Sequence, residues 1–451
     1  MEVSKENKMG TMPEGKLLIN MSVPIMISML IQALYNVVDS WFVSMVSTDA
    51  FAAVTLAFPI QMLIISVSVG TGVGINSLIS RRLGEHKFSE ADAAAENGIF
   101  VCVLSGIAFA LFGAFFSEKF IAAFTNSPDV IKMGADYLRI CTIFSFGVFV
   151  QLAMERIMQA TGNSFYNMIV QGTGAIINIV LDPIFIFGLF GAPKLGVAGA
   201  AIATVIGQIA AMLFGLYVNT KKNDKININM RHFRPSGKAI KDIYVVGIPA
   251  IIMQSITSLL TIGLNKILMM FSQSAVSVYG AYFKLQNFIF MPVFGLTNGM
   301  IPIVGYNFGA RKRKRIVKTI KLSIIVSVAI MFAGTILFQI MPESLLLIFN
   351  ADSEMLEIGT PALRIISTSF MFAGVSIVFS SVFQAMGKAV YSLLISITRQ
   401  LLVILPVAYV MSKLFGLSFV WTAFPIAEFI ALIMSISMYM RLHKKYIKTL
   451  D

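Results

Sequence analysis

The sequence predicts an all-α polytopic membrane protein with twelve transmembrane helices arranged as two parallel six-helix repeats. Three observations carry this expectation. Hydrophobic residues fill 57% of the 451 positions and charged residues only 13%, which is too apolar for a water-soluble domain. Apolar windows long enough to cross ~30 Å of hydrocarbon recur along the whole chain. The chain also matches itself, without a gap from the first span into the fifth, at an offset of 225 residues.

In order, the windows fall at 17–45, 51–80, 93–117, 131–157, 165–190 and 195–219, then at 240–271, 275–307, 316–341, 354–384, 390–413 and 416–440. Pro24 matches Pro249, and the same shift pairs Gln61 with Gln286, Gly74 with Gly299, Gln159 with Gln384 and Tyr166 with Tyr391. Six spans per unit is an even number, so both halves insert the same way, as in transporters built from parallel repeats. The stretch from Thr220 to Lys241 is polar, rich in Lys and Asn, and lacks an apolar stripe, so it reads as the linker. The boundary is placed at residue 230, giving an N-terminal lobe of 1–230 and a C-terminal lobe of 231–451. Pro59, Pro292, Pro302, Pro406 and Pro425 lie within spans and are expected to bend them.

A net charge of +13 raises the question of nucleic acid, but the cations gather in short loops on alternate sides of the spans. Nucleic acid is therefore not an expected partner. The outer loops hold only Lys119, Lys132, Lys194 and Lys413, so the positive-inside rule places both termini in the cytoplasm of a multi-pass cell-membrane protein. Lys221 to Lys241 and Arg311 to Arg315 read as topology signals and lipid-headgroup contacts. Lys5, Lys8 and Lys16 precede the first span without a short apolar region and small-residue cleavage site, so that span is expected to be retained. Cys102 and Cys141 lie in apolar helices and read as packing residues. His86, His232 and His443 fall outside the spans, which argues against a buried histidine relay or metal centre.

Two acids lie deep in apolar sequence. A carboxylate at the centre of a membrane helix costs ~2.5–3.5 kcal/mol even on insertion scales, so such groups face a bundle interior or watery cavity. Asp39 follows Tyr35 and Asn36 on one side of the first span; Asp182 follows Asn178 by four residues, on the same helix face, beside the helix-breaking Pro183. Their repeat partners are Leu264, Val407 and, opposite Asn178, Val403, so the second half does without them. Two carboxylates brought into one chamber repel, which raises the affinity of at least one for a proton or metal cation. The plainer alternative is that each caps a broken helix or bonds a neighbour. Thr204 offers a hydroxyl to the same chamber, or bonds its own backbone.

The second half holds Lys266, Lys284 and Arg399 within its spans, with Glu428 as a counter-ion. Such cations suit a flippase for a lipid-linked sugar or an anionic lipid, the second reading; snorkelling or pairing with Glu428 explains them more simply. With no intramembrane His, Ser–Lys pair or zinc signature, an enzyme is not expected. Twenty-eight Met and thirty-seven Phe suit, collectively, a cavity that adapts to varied hydrophobic ligands.

Taken together, Tyr35-Asn-Val-Val-Asp39, Ile79-Ser-Arg-Arg-Leu-Gly84, Gln159-Ala-Thr-Gly162, Asn178 to Gly188 and Gly305-Tyr-Asn-Phe-Gly-Ala310 resemble the multidrug and toxic compound extrusion (MATE) transporters. The resemblance covers nearly the whole chain and is nearest to the DinF-like and MepA-like branches. It implies two lobes around a central cavity and export of hydrophobic, mostly cationic compounds driven by inward H⁺ or Na⁺. The coupling site it implies, in the N-terminal lobe, is Tyr35, Asp39, Asn178, Asp182 and Thr204, with Asn36 beside them. It implies no cofactor and no metal beyond Na⁺ at those residues; membrane lipids are the expected surroundings and a monomer the expected state. The seventh-span glutamate of NorM-like members is missing, Gln254 and Asn265 being the polar residues there.

Overall fold

A computed structural model describes residues 7–450; Lys5, one of the N-terminal cations, lies outside the described residues. In chain order the helices are α1 (Lys8–Thr11), α2 (Glu14–Ser44), α3 (Thr48–Gly84), α4 (Phe88–Ala122), α5 (Pro128–Ile143), α6 (Phe146–Ala160), α7 (Ser164–Phe187) and α8 (Val197–Lys221). They continue with α9 (Gly237–Met269), α10 (Gln273–Gly309), α11 (Arg313–Ile340), α12 (Pro342–Leu347), α13 (Ser353–Ser367), α14 (Phe370–Ala385) and α15 (Ala389–Ile397). The last are α16 (Leu405–Leu414), α17 (Leu417–Val420) and α18 (Ala423–Leu442). A π-helical segment, Thr398–Ile404, joins α15 to α16. No strand occurs among the described residues.

Among the described residues, ten helices, some joined end to end, are long and apolar enough to cross a membrane, and two bent pairs bring the number to twelve. The pairs are α5 with α6, bent by 44°, and α13 with α14, bent by 50°. These are the fourth and tenth expected spans. Neither break is at a proline, and Pro59, Pro292 and Pro302 lie inside continuous helices, so the expected bends and the observed sharp ones differ. At the breaks the backbone tightens: Ser145 N–H bonds the Thr142 carbonyl at 3.1 Å, and Ser369 N–H bonds the Ile366 carbonyl at 3.1 Å. Bonds to the third residue back overwind one turn and turn the axis there.

The chain packs as two compact units that do not coincide with the repeat boundary at 230. One comprises residues 23–251; the other comprises the chain up to Ser22 together with Ile252 onward. Each unit thus includes the first turns of the other repeat's leading helix. In the first unit α9 approaches α3 so closely that a Cβ on Gly74 would stand 2.2 Å from the Ile243 carbonyl oxygen. In the second unit the repeat-matched Gly299 has the same role, a Cβ there meeting the Ser22 backbone at 2.8 Å. Only glycine admits such backbone contact.

Polar bonds fix both crossings. Arg82 pairs with Asp242 at 3.3 Å, and Ser236 N–H bonds Asn97 Oδ1 at 2.8 Å. Burial alone would raise the Glu85 carboxyl, but its bonds to Arg82 and Lys87 outweigh that and hold it below the ordinary value. In the second unit Glu14 pairs with Arg315 at 3.3 Å and Lys318 at 2.9 Å, while Asn307 Nδ2 donates to the Met9 carbonyl at 2.9 Å. That unit's core holds Phe370, edge-on to Phe338 at 5.2 Å, and the fully buried Leu264. Outward the helices show Phe115, Leu111 and Val37, which suit a hydrocarbon solvent rather than water.

Candidate cation-coupling site

The five residues that the resemblance implies for coupling lie in the first unit, on α2, α7 and α8. Two contacts clamp α2 to α7. Gln171 Nε2 donates to Gln32 Oε1 at 3.0 Å, and beyond it the Phe42 and Phe187 rings meet edge to face at 6.2 Å. Asp39 and Asp182 sit between these clamps, with their carboxyl groups within hydrogen-bonding reach of each other. Tyr35, one turn before Asp39, lies in the electrostatic range of both.

Small residues bring α8 against α7. Gly199, Ala203, Gly207 and Ala211 recur every fourth position and are all buried, a small-residue stripe that lets membrane helices approach. A Cβ on Gly207 would stand 2.6 Å from the Gly174 carbonyl oxygen. That approach lets Asn178 Nδ2 bond both Asp182 Oδ1 and Thr204 Oγ1, each at 3.2 Å. Asp182 is fully buried and Asn178 is 2% exposed. The Asn178 amide is thereby oriented, its nitrogen toward the aspartate and its oxygen left over.

Asp39 Oδ1, Asp182 Oδ2 and Asn178 Oδ1 are buried with no hydrogen-bonding partner among the described residues. An unpartnered buried oxygen is costly in a membrane. The three belong to side chains that meet between α2 and α7, where a proton or a hard cation with oxygen preference would satisfy them. Asn36 stands apart, exposed on α2. Pro183 does not break α7, which runs through it to Phe187.

The sequence reading missed a second layer. Gln61 on α3 donates to the Tyr137 hydroxyl at 2.8 Å and to Cys141 Sγ at 3.9 Å, both on α5. Tyr137 and Cys141 lie in the electrostatic range of Asp39, so Cys141 packs beside the site. No local spacing shows this, because the three residues come from helices whose adjacency depends on the fold. The cations of the second half are accounted for differently. Arg399 pairs with Glu428 at 3.2 Å, Lys284 lies over the Phe349 ring at 5.7 Å, and Lys266 is exposed. None is left as a buried free charge for a phosphate, which removes the support for the flippase reading.

Known proteins resemble the chain over nearly its whole length. Multidrug export protein MepA of Staphylococcus haemolyticus is 29% identical over 92% of this chain and 90% of its own length. MepA of Staphylococcus aureus is 27% identical over 92% of this chain and 91% of its own. Among solved structures, a MOP superfamily transporter from Pyrococcus furiosus superposes with a TM-score of 0.91 at 25% identity, covering 100% of both chains. An outward-facing multidrug resistance MATE family transporter of the MOP superfamily gives 0.91 at 25% identity over 99% of this chain and 100% of that one. The MatE family model matches twice, at residues 24–184 and 249–410, starting at Pro24 and again at its repeat partner Pro249. With both halves matched in the register of its own repeat, the chain belongs to the MatE family of membrane transporters.

Proposed function

We propose that the chain exports hydrophobic, mostly cationic compounds by alternating access, in exchange for H⁺ or Na⁺ bound at Tyr35, Asp39, Asn178, Asp182 and Thr204. The observation that carries the reading is that the Asp39 and Asp182 carboxyls, both deep between α2 and α7, lie within hydrogen-bonding reach of each other. Two ionised carboxylates so placed repel, which favours a proton or cation held between them and released only when the surroundings change. Asn178 and Thr204 fix one side of the pair, so that a cation arriving or leaving alters bonds on α2, α7 and α8 together. Relatives named multidrug export protein MepA support the export of drugs. The charge asymmetry of the loops supports a topology with both termini in the cytoplasm.

Efflux of a fluorescent cation from proteoliposomes, with pH and Na⁺ gradients imposed separately, tests the reading and names the ion. Asp39→Asn and Asp182→Asn should each abolish gradient-driven efflux while leaving monodisperse protein in the membrane. Wild-type efflux from either variant at equal reconstitution would move the site elsewhere.

A further inference from the structure

The end of α18 carries cations that the transport reading does not use. A π-helical turn, His443–Ile447, continues from it, and a cleft of about 480 Å³ opens there, lined by Arg313, Tyr439, Met440, His443, Lys444 and Lys448. None of these lining residues is acidic. Arg313 comes from the first turn of α11, far away in sequence, so the fold has taken it from the run Arg311 to Arg315 and set it beside the C-terminal cations. Arg313 and Lys448 both lie in the electrostatic range of His443, so cations from α11 and from the end of α18 meet at this cleft. Like charges converging at one point repel unless an anion joins them.

The walls say which anion. Tyr439 and Met440 make one side apolar, and along α18 Ile433, Ile436 and Met440 are 52%, 38% and 60% exposed in a stripe at helical spacing. Lipid tails are the natural cover for such a stripe on a membrane-spanning helix. We propose that this cleft binds the phosphate of an anionic phospholipid, its acyl chains lying along the α18 stripe. Arg313 supplies the planar fork that grips phosphate oxygens in pairs, and Lys444 and Lys448 supply point charges. The proposal does not rest on the coupling site or on the exported compound.

The test uses the full chain in neutral detergent micelles, following its melting temperature while phosphatidylglycerol, phosphatidylcholine or inorganic phosphate is titrated. Phosphatidylglycerol alone should raise the melting temperature. The double variant Lys444→Gln/Lys448→Gln, altering two exposed side chains, should weaken its apparent affinity roughly thirtyfold, from the surface attraction typical of two cations. Arg313→Lys should weaken it too, whereas Lys119→Gln/Lys132→Gln, elsewhere on the chain, should leave it intact. Equal shifts with phosphatidylcholine, an unchanged phosphatidylglycerol response in the double variant, or a matching response to inorganic phosphate would each overturn the lipid site.

Discussion

Asn178 does the most at the level of single residues, because one amide nitrogen holds both Asp182 and Thr204. Thr204→Val keeps the shape and removes the acceptor, leaving that amide to Asp182 alone. The expected outcome is a folded protein less stable by about 1 kcal/mol, the usual worth of one hydrogen bond, with a shifted ion dependence of efflux. Thr204→Ser should restore both; a Val variant with wild-type ion dependence would take Thr204 out of the site. Part of this was legible, since Asn178 and Asp182, or Tyr35 and Asp39, sit four apart and share a helix face. Their meeting across α2 and α7 was not, because period alone says which residues share a face and never which faces meet. Gln61, Tyr137 and Cys141 were hidden for the same reason. Leu264, the repeat partner of Asp39, is fully buried in an apolar core, so a polar substitution there would report misfolding; Leu264→Met is the control that keeps its volume.

Among elements, the pairing of α7 with α8 decides how well the site is formed. Gly207 lies at the closest approach, so Gly207→Val would push a branched side chain into the Gly174 backbone. Overpacking of this kind costs about 1–3 kcal/mol, and here it also parts Thr204 from Asn178. The variant should melt earlier and export poorly. Gly280, on α10, has nothing within 4 Å of a built Cβ. Gly280→Ala should therefore be neutral or stabilise by up to about 1 kcal/mol, from helix propensity alone; equal losses at both glycines would refute the contact argument. Small residues every fourth position in 199–211 were visible in the sequence, whereas the sharp bends were not. Prolines drew the eye, but the fourth and tenth spans turn at Ser145 and Ser369, where non-proline backbone tightens over one turn. Those breaks sit within one residue of matched repeat positions, so the repeat carried a signal that proline did not.

Across the whole molecule, if coupling runs through the Asp39 and Asp182 carboxyls, which lie within hydrogen-bonding reach of each other, that pair limits how much charge enters per cycle, and so how steep a drug gradient forms. If one H⁺ enters as one monovalent cation leaves, no net charge crosses the membrane. The membrane potential, worth ~2.3 kcal/mol per charge per 100 mV, then contributes nothing. Only the pH difference drives export, each unit supplying ~1.4 kcal/mol, or about a tenfold drug gradient. Two protons would add the potential and make the cycle electrogenic. Asp39 and Asp182 lying within hydrogen-bonding reach of each other favours one, because a single proton can be shared between the two carboxyls. The second would be held apart from that hydrogen bond, bound at a separate macroscopic step. In proteoliposomes with a fixed pH gradient, a valinomycin-set potassium potential should leave the final gradient of a monovalent cation unchanged. A final gradient that follows the imposed potential would mean that more than one charge enters for each cation exported, and would overturn one-for-one exchange.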